Sequence, residues 1–238
     1  MPTATQLALE QIVLLNRDVT ACTQCPRLIA HCQKIGKVKR RAYLDWEYWA
    51  KPVPGFGDID ARVLVLGLAP GAHGSNRTGR MFTGDGSANF LYPVLHKVGF
   101  ASHHESRRRD DGMRLANAYI TAMARCAPPG NKPTPQELAN CSTFLDRELE
   151  ILKNVSVVVA LGKIAFDGYL NHLKRRGVLK TRAGYDFGHG VEYKTPDGRT
   201  LLASYHPSIQ NTNTGKLTEK MFLTVFRRAA KIVSTPRS

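Results

Sequence analysis

The chain has 238 residues, 42% of them hydrophobic and 22% charged, and these ordinary values exclude a disordered or low-complexity protein. Its 34 Lys and Arg residues exceed its 19 Asp and Glu residues, so the formal net charge is +15. No apolar run approaches the ~20 residues of a membrane helix, and no secretory signal is recognised near Met1. We therefore expect a soluble, cytoplasmic, nucleoid-associated protein that attracts polyanions.

Basic residues are concentrated in three stretches of the chain, at 34–41, 107–109 and 174–176. No amphipathic basic helix with a broad apolar face accompanies them. Nucleic acid is therefore favoured over a membrane surface as the partner. The alternative is a basic coat that serves only solubility.

The hydrophobic pattern predicts helices and strands that follow one another along the chain. Residues 3–34 have helical spacing, interrupted near Cys22, and an ordered loop rich in aromatic residues is predicted at 40–60. Continuous apolar runs predict four buried strands, at 62–67, 118–122, 155–161 and 201–205. Helices are predicted at 88–98, from Pro135 onward, at 163–173 and at 217–233, and a loop or edge hairpin at 174–196.

The alternation of strands and helices predicts an α/β fold, with three αβα layers around a four-stranded parallel sheet. Thr134 and Glu137 have the spacing of a capping box, and Pro135 suits the first turn of the helix that they begin. Neither an internal repeat nor a linker is recognised. A single domain over residues 1–238 is therefore expected.

Five cysteines without a secretory signal indicate reduced thiols or metal ligands rather than disulfides. Cys22 and Cys25 form a C-x2-C pair, which can place two thiolates on one metal centre. Cys126 and Cys141 form a distant second pair that would complete a set of four, and Cys32 is a fifth thiol. Ligand number alone does not separate zinc from a [4Fe-4S] cluster, and buried inert thiols are the alternative.

Three segments follow predicted strands, where the functional residues of a parallel α/β sheet usually lie. They are residues 67–85, 125–133 and 206–213. The first is rich in glycine, yet it contains neither a Walker loop nor the G-x-G-x-x-G fingerprint. Nucleotide hydrolysis and Rossmann-type redox chemistry are therefore disfavoured.

Three side chains in these segments are candidates for chemistry, and each has a structural alternative. Phe82 can stack on a planar base or belong to the core. Asp85 can position a water molecule or cap the following helix. His206 comes directly after the last strand, and Pro207 keeps it out of the α region, so it is the strongest catalytic candidate against the alternative of a structural histidine.

Together these segments resemble the uracil-DNA glycosylase superfamily, and in detail its family 5 (UDGb-type) enzymes of bacteria and archaea. The likeness rests on residues 67–85, 52–58 and 126–135 and on His206-Pro207-Ser208 with Asn211, and it extends from about Cys22 to Phe226. The resemblance implies a four-stranded parallel sheet and a [4Fe-4S] cluster. The implied ligands are Cys22, Cys25, Cys126 and Cys141, which leaves Cys32 as a spare thiol.

The resemblance also implies hydrolysis of the N-glycosidic bond of uracil, hypoxanthine and xanthine in DNA, after the base is flipped out of the helix. Asp85 would activate water, His206 would stabilise the departing base, and Asn131 would support them. The other implied contacts are Gly67, Leu68, Ala69, Gly71 and Phe82 for the base, and Ser208, Ile209, Gln210 and Asn211 for the DNA.

Two substitutions separate this sequence from the related family 4. Ala69 lies where family 4 has a Gly-Glu, and Thr121 is aligned with an asparagine that reads the pyrimidine edge. The loss of an amide reader predicts broad base specificity.

Two other functions are compatible with parts of the sequence. A non-catalytic iron–sulfur or zinc module that binds nucleic acid would use the same charge and cysteines, but it would not need residues 67–85 or His206. A metal-dependent phosphodiesterase is disfavoured because the motifs contain few clustered acids. We expect a monomer that acts on single- or double-stranded DNA.

Overall fold

The computed structural model describes residues 3–234 of the chain, and a mixed sheet lies at the centre of this region. The strands follow in chain order: β1 (Phe56–Gly57), β2 (Val63–Gly67), β3 (Ala118–Ala122), β4 (Val157–Leu161), β5 (Glu192–Lys194) and β6 (Thr200–Ser204). Their spatial order is β1-β3-β2-β4-β6-β5. The inner four are parallel and fully buried, as their continuous apolar runs require.

The prediction of a purely four-stranded parallel sheet is wrong, although its four strands are confirmed as the inner set. Short antiparallel strands extend both edges, with β1 beside β3 and β5 beside β6. β1 lies in the region predicted to be a loop, and its two residues are too few to show any periodicity. β5 with β6 forms the edge hairpin that was one of the two predictions for 174–196.

Helices cover both faces of the sheet within residues 3–234. In chain order they are α1 (Ala4–Thr20), α2 (Pro26–Val38), α3 (Ser75–Thr78), α4 (Gly86–Lys97), α5 (Pro135–Ile151), α6 (Lys163–Arg175), α7 (Ile209–Asn213) and α8 (Glu219–Ser234). The predicted capping box of Thr134 and Glu137 is present at the start of α5. α3 and α7 were not predicted, because four or five residues are too few to display a helical apolar face.

Two apolar cores lie on opposite faces of the sheet and confirm the three-layer arrangement. Val65 and Ile120 face α4 and α8, while Leu64 and Leu66 face α1, α5 and α6. The strand order reverses at β2, which has β3 on one side and β4 on the other. Ligands of open α/β sheets bind beyond the carboxyl ends of the strands at such a point. In the described region, no helix is long and apolar enough to cross a lipid bilayer.

Candidate active site

A cavity of about 490 Å³ lies beyond the carboxyl ends of β2, β3 and β6. Its wall brings together residues that were predicted separately from three segments of the sequence. These are Leu68, Ala69, Gly71, Phe82, Asp85, Asn131, His206, Ser208, Ile209 and Gln210. Two predicted residues, Gly67 and Asn211, are not part of the wall and instead support residues that are.

Phe82 is both a core residue and part of the cavity wall. Its side chain is 7% exposed and packs in the core on the α4 and α8 side of the sheet. A Cβ atom on Gly67 would lie 2.8 Å from the Phe82 ring, so glycine is what allows the ring to lie over the end of β2. The ring centroid is 6.1 Å from that of His206, with 33° between the planes.

Asp85 caps α4 and also borders the cavity. Its Oδ1 accepts a hydrogen bond from the Ala88 backbone N–H at 3.0 Å, as an N-cap residue does. Its Oδ2 faces the glycine turn, because a Cβ atom on Gly74 would lie only 2.0 Å from that oxygen. Burial raises the pKa of Asp85, although the backbone N–H groups of Ala88 and Ser87 and the charge of Arg77 oppose this shift. A carboxyl with a raised pKa is a suitable general base.

His206 leaves β6 with its imidazole uncharged. Burial lowers the pKa of His206 to about 4, so the ring is neutral at physiological pH and has one N–H to donate. Within residues 3–234 the ring nitrogens have no hydrogen-bond partner. The main chain is fixed, because the Asn211 side-chain amide and the Ser208 backbone N–H each donate to the His206 carbonyl at 2.8 Å.

The remaining predicted residues form the rim of the cavity. Ser208 caps α7 by accepting from the Asn211 backbone N–H at 3.2 Å. Ile209 is 59% exposed and lies against Gly86, where a Cβ atom would be 2.5 Å from its Cγ1. Asn131 is exposed and has a left-handed backbone, with φ of 58°. The rim therefore offers an apolar side chain and amides beside Asp85.

A second group of side chains at the cavity was not predicted from the sequence. His73 lines it, and its Nδ1 shares a hydrogen bond of 3.1 Å with the Tyr48 hydroxyl. Burial and the charges of Arg40 and Arg77 lower the pKa of His73. Arg77 donates from Nε to the His73 carbonyl at 2.8 Å, and its guanidinium lies 3.9 Å from the ring centroid of Trp46. The aromatic residues of the predicted loop at 40–60 were the signal for this group.

The expectation that Thr121 occupies a base-reading position is wrong. Its side chain is fully buried on the α5 side of the sheet, where Oγ1 donates to Glu148 Oε2 at 2.8 Å. The following residue, Ala122, has its side chain on the opposite face and packs in the core that contains Phe82. The β3 side chain on the same face as Phe82 is therefore that of Ala122 and not that of Thr121. Ala122 has no amide that could read a base.

The cysteines lie near one another although they are distant in sequence. Cys25, Cys32 and Cys126 belong to one buried cluster with Leu28 and Ala127. The contact with the Cys32 thiol and burial raise the pKa of Cys126. Cys32 also donates to the Ala127 carbonyl, with a sulfur–oxygen distance of 3.7 Å.

The two remaining cysteines are electrostatically linked to this cluster. Burial raises the pKa of Cys141 on α5, and the neighbouring Cys25 and Cys22 add to the shift. The Asn140 side-chain amide donates to the Cys25 sulfur at 3.4 Å. Between residues 3 and 234, no group of three or more Cys, His, Asp or Glu side chains has a geometry that could hold a metal ion. The donor chemistry nevertheless suits an iron–sulfur cluster, because all the sulfurs except that of Cys22 are buried.

Comparison with known proteins identifies a family that has this fold. The family described as the Uracil DNA glycosylase superfamily matches residues 54–230. The chain is 52% identical over 216 residues to the type-5 uracil-DNA glycosylase of Thermus thermophilus, covering 91% of this chain and 95% of the relative. Identity is 46% to the type-5 enzymes of Mycobacterium bovis (92% and 80% covered) and Pyrobaculum aerophilum (91% and 90% covered).

The α/β fold and the cavity at its switch point therefore define an enzyme of the DNA glycosylase class. More particularly, the chain belongs to the uracil-DNA glycosylase superfamily and, within it, to the type-5 family.

Proposed function

We propose that the protein hydrolyses the N-glycosidic bond of uracil in DNA, and also that of hypoxanthine and xanthine, leaving an abasic site. The observation that carries the proposal is the meeting of Asp85, Phe82 and His206 around one cavity of about 490 Å³. A base within a duplex cannot reach such a cavity, so the nucleotide must first rotate out of the helix. The exposed Ile209 and the neighbouring Gln210 are proposed to enter the space that it leaves.

The proposed reaction is a displacement at the anomeric carbon of the sugar. Asp85 takes a proton from a water molecule as the water oxygen bonds to that carbon. The carbon–nitrogen bond breaks, and its electron pair leaves with the base. The neutral imidazole of His206 donates a hydrogen bond to the departing base, and Asn131 supports it from the rim. Phe82 stacks on the base before it leaves.

The base preference is proposed to be broad because the part of the cavity wall at the ends of β2 and β3 carries apolar side chains instead of an amide that could read a base edge. Ala69 and Leu68 line it beside Phe82, and the nearby β3 position is Ala122. A pocket that rejects a base strongly needs polar groups that the wrong base leaves unpaired.

Cleavage of oligonucleotides in EDTA tests the proposed function. Duplexes that each contain one uracil, hypoxanthine or xanthine should become alkali-labile, without strand breaks before alkali. Strand breaks that require Mg²⁺ would indicate a nuclease instead. Binding without any alkali-labile sites would indicate the non-catalytic module.

A methyl group on Gly74 is expected to inhibit the reaction through Asp85. In the Gly74→Ala variant the new carbon would lie 2.0 Å from Oδ2 and 2.6 Å from Cγ, so the carboxyl must move. A displaced general base should cost at least about 10²-fold in the single-turnover rate of uracil release. Gly188→Ala is the control, because within 4 Å its new carbon meets only one Val191 methyl carbon, at 3.1 Å. Equal rates for both variants would contradict the role of the Asp85 position.

The pH dependence should show one acid limb. Burial raises the pKa of Asp85, so the rate of uracil release should rise with pH above the ordinary range of an aspartate and then level off. His206 has a pKa of about 4 and is already neutral on the plateau. Single-turnover rates between about pH 4 and 9 measure this profile. A decrease above about pH 6.5, the usual histidine value, would instead mean that a protonated histidine is the donor.

We further propose that Cys22, Cys25, Cys126 and Cys141 hold a [4Fe-4S] cluster with a structural role. Such ligation would tie the link between α1 and α2 to the segment after β3 and to α5. The proposal is supported by the electrostatic interaction between these thiols and by the burial of all of them except Cys22.

Iron and sulfide analysis of anaerobically purified protein tests the cluster. Cys141→Ser should lose iron and the visible thiolate-to-iron absorbance, whereas Cys32→Ser should retain both. Stoichiometric zinc in place of iron would contradict the cluster, and so would iron retention by Cys141→Ser.

A further inference from the structure

A basic groove lies beside the base cavity. One part, of about 730 Å³, is lined by Arg17, Lys51, Arg80 and Arg109, and no acidic residue lines it. An adjoining part, of about 510 Å³, shares Arg109 and is also lined by other side chains of positive and of negative charge. Its lining is Trp46, Glu47, Arg77, Thr78, Arg108, Arg109 and Asp110. We refer to the two parts together as the basic groove.

The groove is at the same edge of the sheet as the base cavity. β1 runs antiparallel to β3, so the residues just before it, Pro54 and Gly55, lie at the carboxyl end of β3 and line the groove. The segment after β2 borders both spaces, with Gly79 and Arg80 in the groove and Asp85 in the cavity. A strand that delivers a base to the cavity can therefore continue along this edge.

The hairpin that carries Arg108 and Arg109 is hydrogen-bonded to the loop that contains Asp85. Ser102 N–H donates to the Arg114 carbonyl at 2.9 Å, so the chain between α4 and β3 forms a hairpin that returns along α4. At the tip of this hairpin, the Ser106 carbonyl accepts a hydrogen bond of 2.9 Å from the backbone N–H of Gly84, which is the residue before Asp85.

The buried side chain of Arg80 also holds the tip of this hairpin in place. Arg80 is 4% exposed and donates to both carboxylate oxygens of Asp111, at 2.8 and 2.7 Å. It also donates to the Ser106 hydroxyl at 2.8 Å and to the Arg109 carbonyl at 3.2 Å. The backbone that carries Arg108 is therefore rigidly attached to the loop of the base cavity.

Aromatic rings preorganise the exposed cations. The guanidinium of Arg108 lies 4.5 Å from the Trp46 ring centroid, and that of Arg109 lies 4.6 Å from the Trp49 centroid. Lys51 lies 5.6 Å from the same Trp49 ring. Neither Arg108 nor Arg109 forms an ion pair with another residue in the described range 3–234. Guanidinium planes held on rings keep their N–H edges for phosphate oxygens at little entropic cost.

We propose that the basic groove binds the sugar–phosphate backbone of the DNA strand next to the flipped nucleotide, with Arg108 and Arg109 on phosphates. This inference rests on the proposed function, since it assumes a DNA substrate. The cluster at 174–176 is unsuited to that role, because α6 runs from the carboxyl ends of the strands toward the opposite edge. Its Arg175 and Arg176 are also paired with Asp146 and Glu150.

Binding to a duplex with a stable abasic-site analogue tests the groove without requiring base release. Arg108→Gln and Arg109→Gln should each weaken binding about eightfold at 0.1 M salt, because log K falls about 0.9 per phosphate contact per decade of salt. Each should also lower the slope of log K against log salt by about 1. Lys174→Gln is the matched control, expected to change affinity less than about twofold.

A double-mutant cycle tests the role of the rings. Trp49→Leu should weaken binding, and combining it with Arg109→Gln should weaken binding by less than the sum of the two single effects, because the ring acts in part through this guanidinium. The thermal midpoint of each variant verifies folding. Wild-type affinity and salt slope in Arg108→Gln and Arg109→Gln would overturn the groove. The arginine variants could bind the abasic duplex more weakly while the wild-type protein releases no base. That result would overturn the proposed function and leave the groove supported.

Discussion

Asp85→Asn is expected to lower the single-turnover rate of uracil release about 10²–10⁴-fold while the fold remains intact. Asparagine keeps an oxygen that can accept from the Ala88 N–H, and it is as good an N-cap as aspartate. It cannot take a proton from water at neutral pH. The change therefore separates the capping role of Asp85 from its proposed catalytic role.

The same variant should be at least as stable as the wild type at about pH 8. Because burial raises the pKa of Asp85, the folded state binds that proton more tightly than the unfolded state does. The folded protein therefore loses stability as pH rises from the ordinary pKa of an aspartate to the raised pKa of Asp85. An asparagine does not titrate, so it removes this loss. Thermal midpoints at about pH 5 and pH 8 measure the difference. The exposed Asp186→Asn is the control for loss of one charge.

Two outcomes would contradict this account of Asp85. A wild-type rate in Asp85→Asn would assign water activation to another group. A large fall in the midpoint of Asp85→Asn would mean that the ionised carboxylate stabilises the fold, so that its rate could not be interpreted as catalytic.

The inner sheet was predictable because fully buried parallel strands have an unmistakable composition. The same property hides which way each side chain faces. In β3 every residue is buried, so no alternation of polar and apolar residues distinguishes Thr121 from Ala122. Only the packing of β3 against α5 on one face and Phe82 on the other shows which side chains point each way. The sequence therefore could not reveal that Thr121 points away from the cavity.

The catalytic candidates were predictable because each lies in a segment that follows a strand in sequence. The groups that surround them were not, because they depend on contacts between distant segments. Trp49 N–H donates to the Arg77 carbonyl at 2.9 Å, and this bond joins the aromatic loop to α3. The bond between Gly84 and Ser106 likewise comes from a hairpin tip that no local pattern indicates. Composition showed that aromatic and basic residues are abundant there, but not that they meet.

A buried ion pair beside the cysteines is expected to have the largest effect on stability. Arg125 and Glu148 are 1% and 0% exposed, and two hydrogen bonds of 3.0 and 2.6 Å join them. Arg125 precedes Cys126, and Glu148 lies on α5 two turns after Cys141. The pair therefore joins the segment after β3 to α5, where two of the proposed cluster ligands lie.

Glu148→Gln should lower the free energy of unfolding by about 3–5 kcal/mol, because it leaves the Arg125 charge buried without an opposite charge. Urea denaturation measures the loss, with Glu150→Gln as the control, since its exposed pair with Arg176 is worth about 1 kcal/mol or less. The double variant Arg125→Met, Glu148→Leu should regain much of the loss, because no unpaired charge is left. A loss in Glu148→Gln as small as that of the control would mean that water or another group reaches the guanidinium. The pair would then not be what holds α5 to the end of β3.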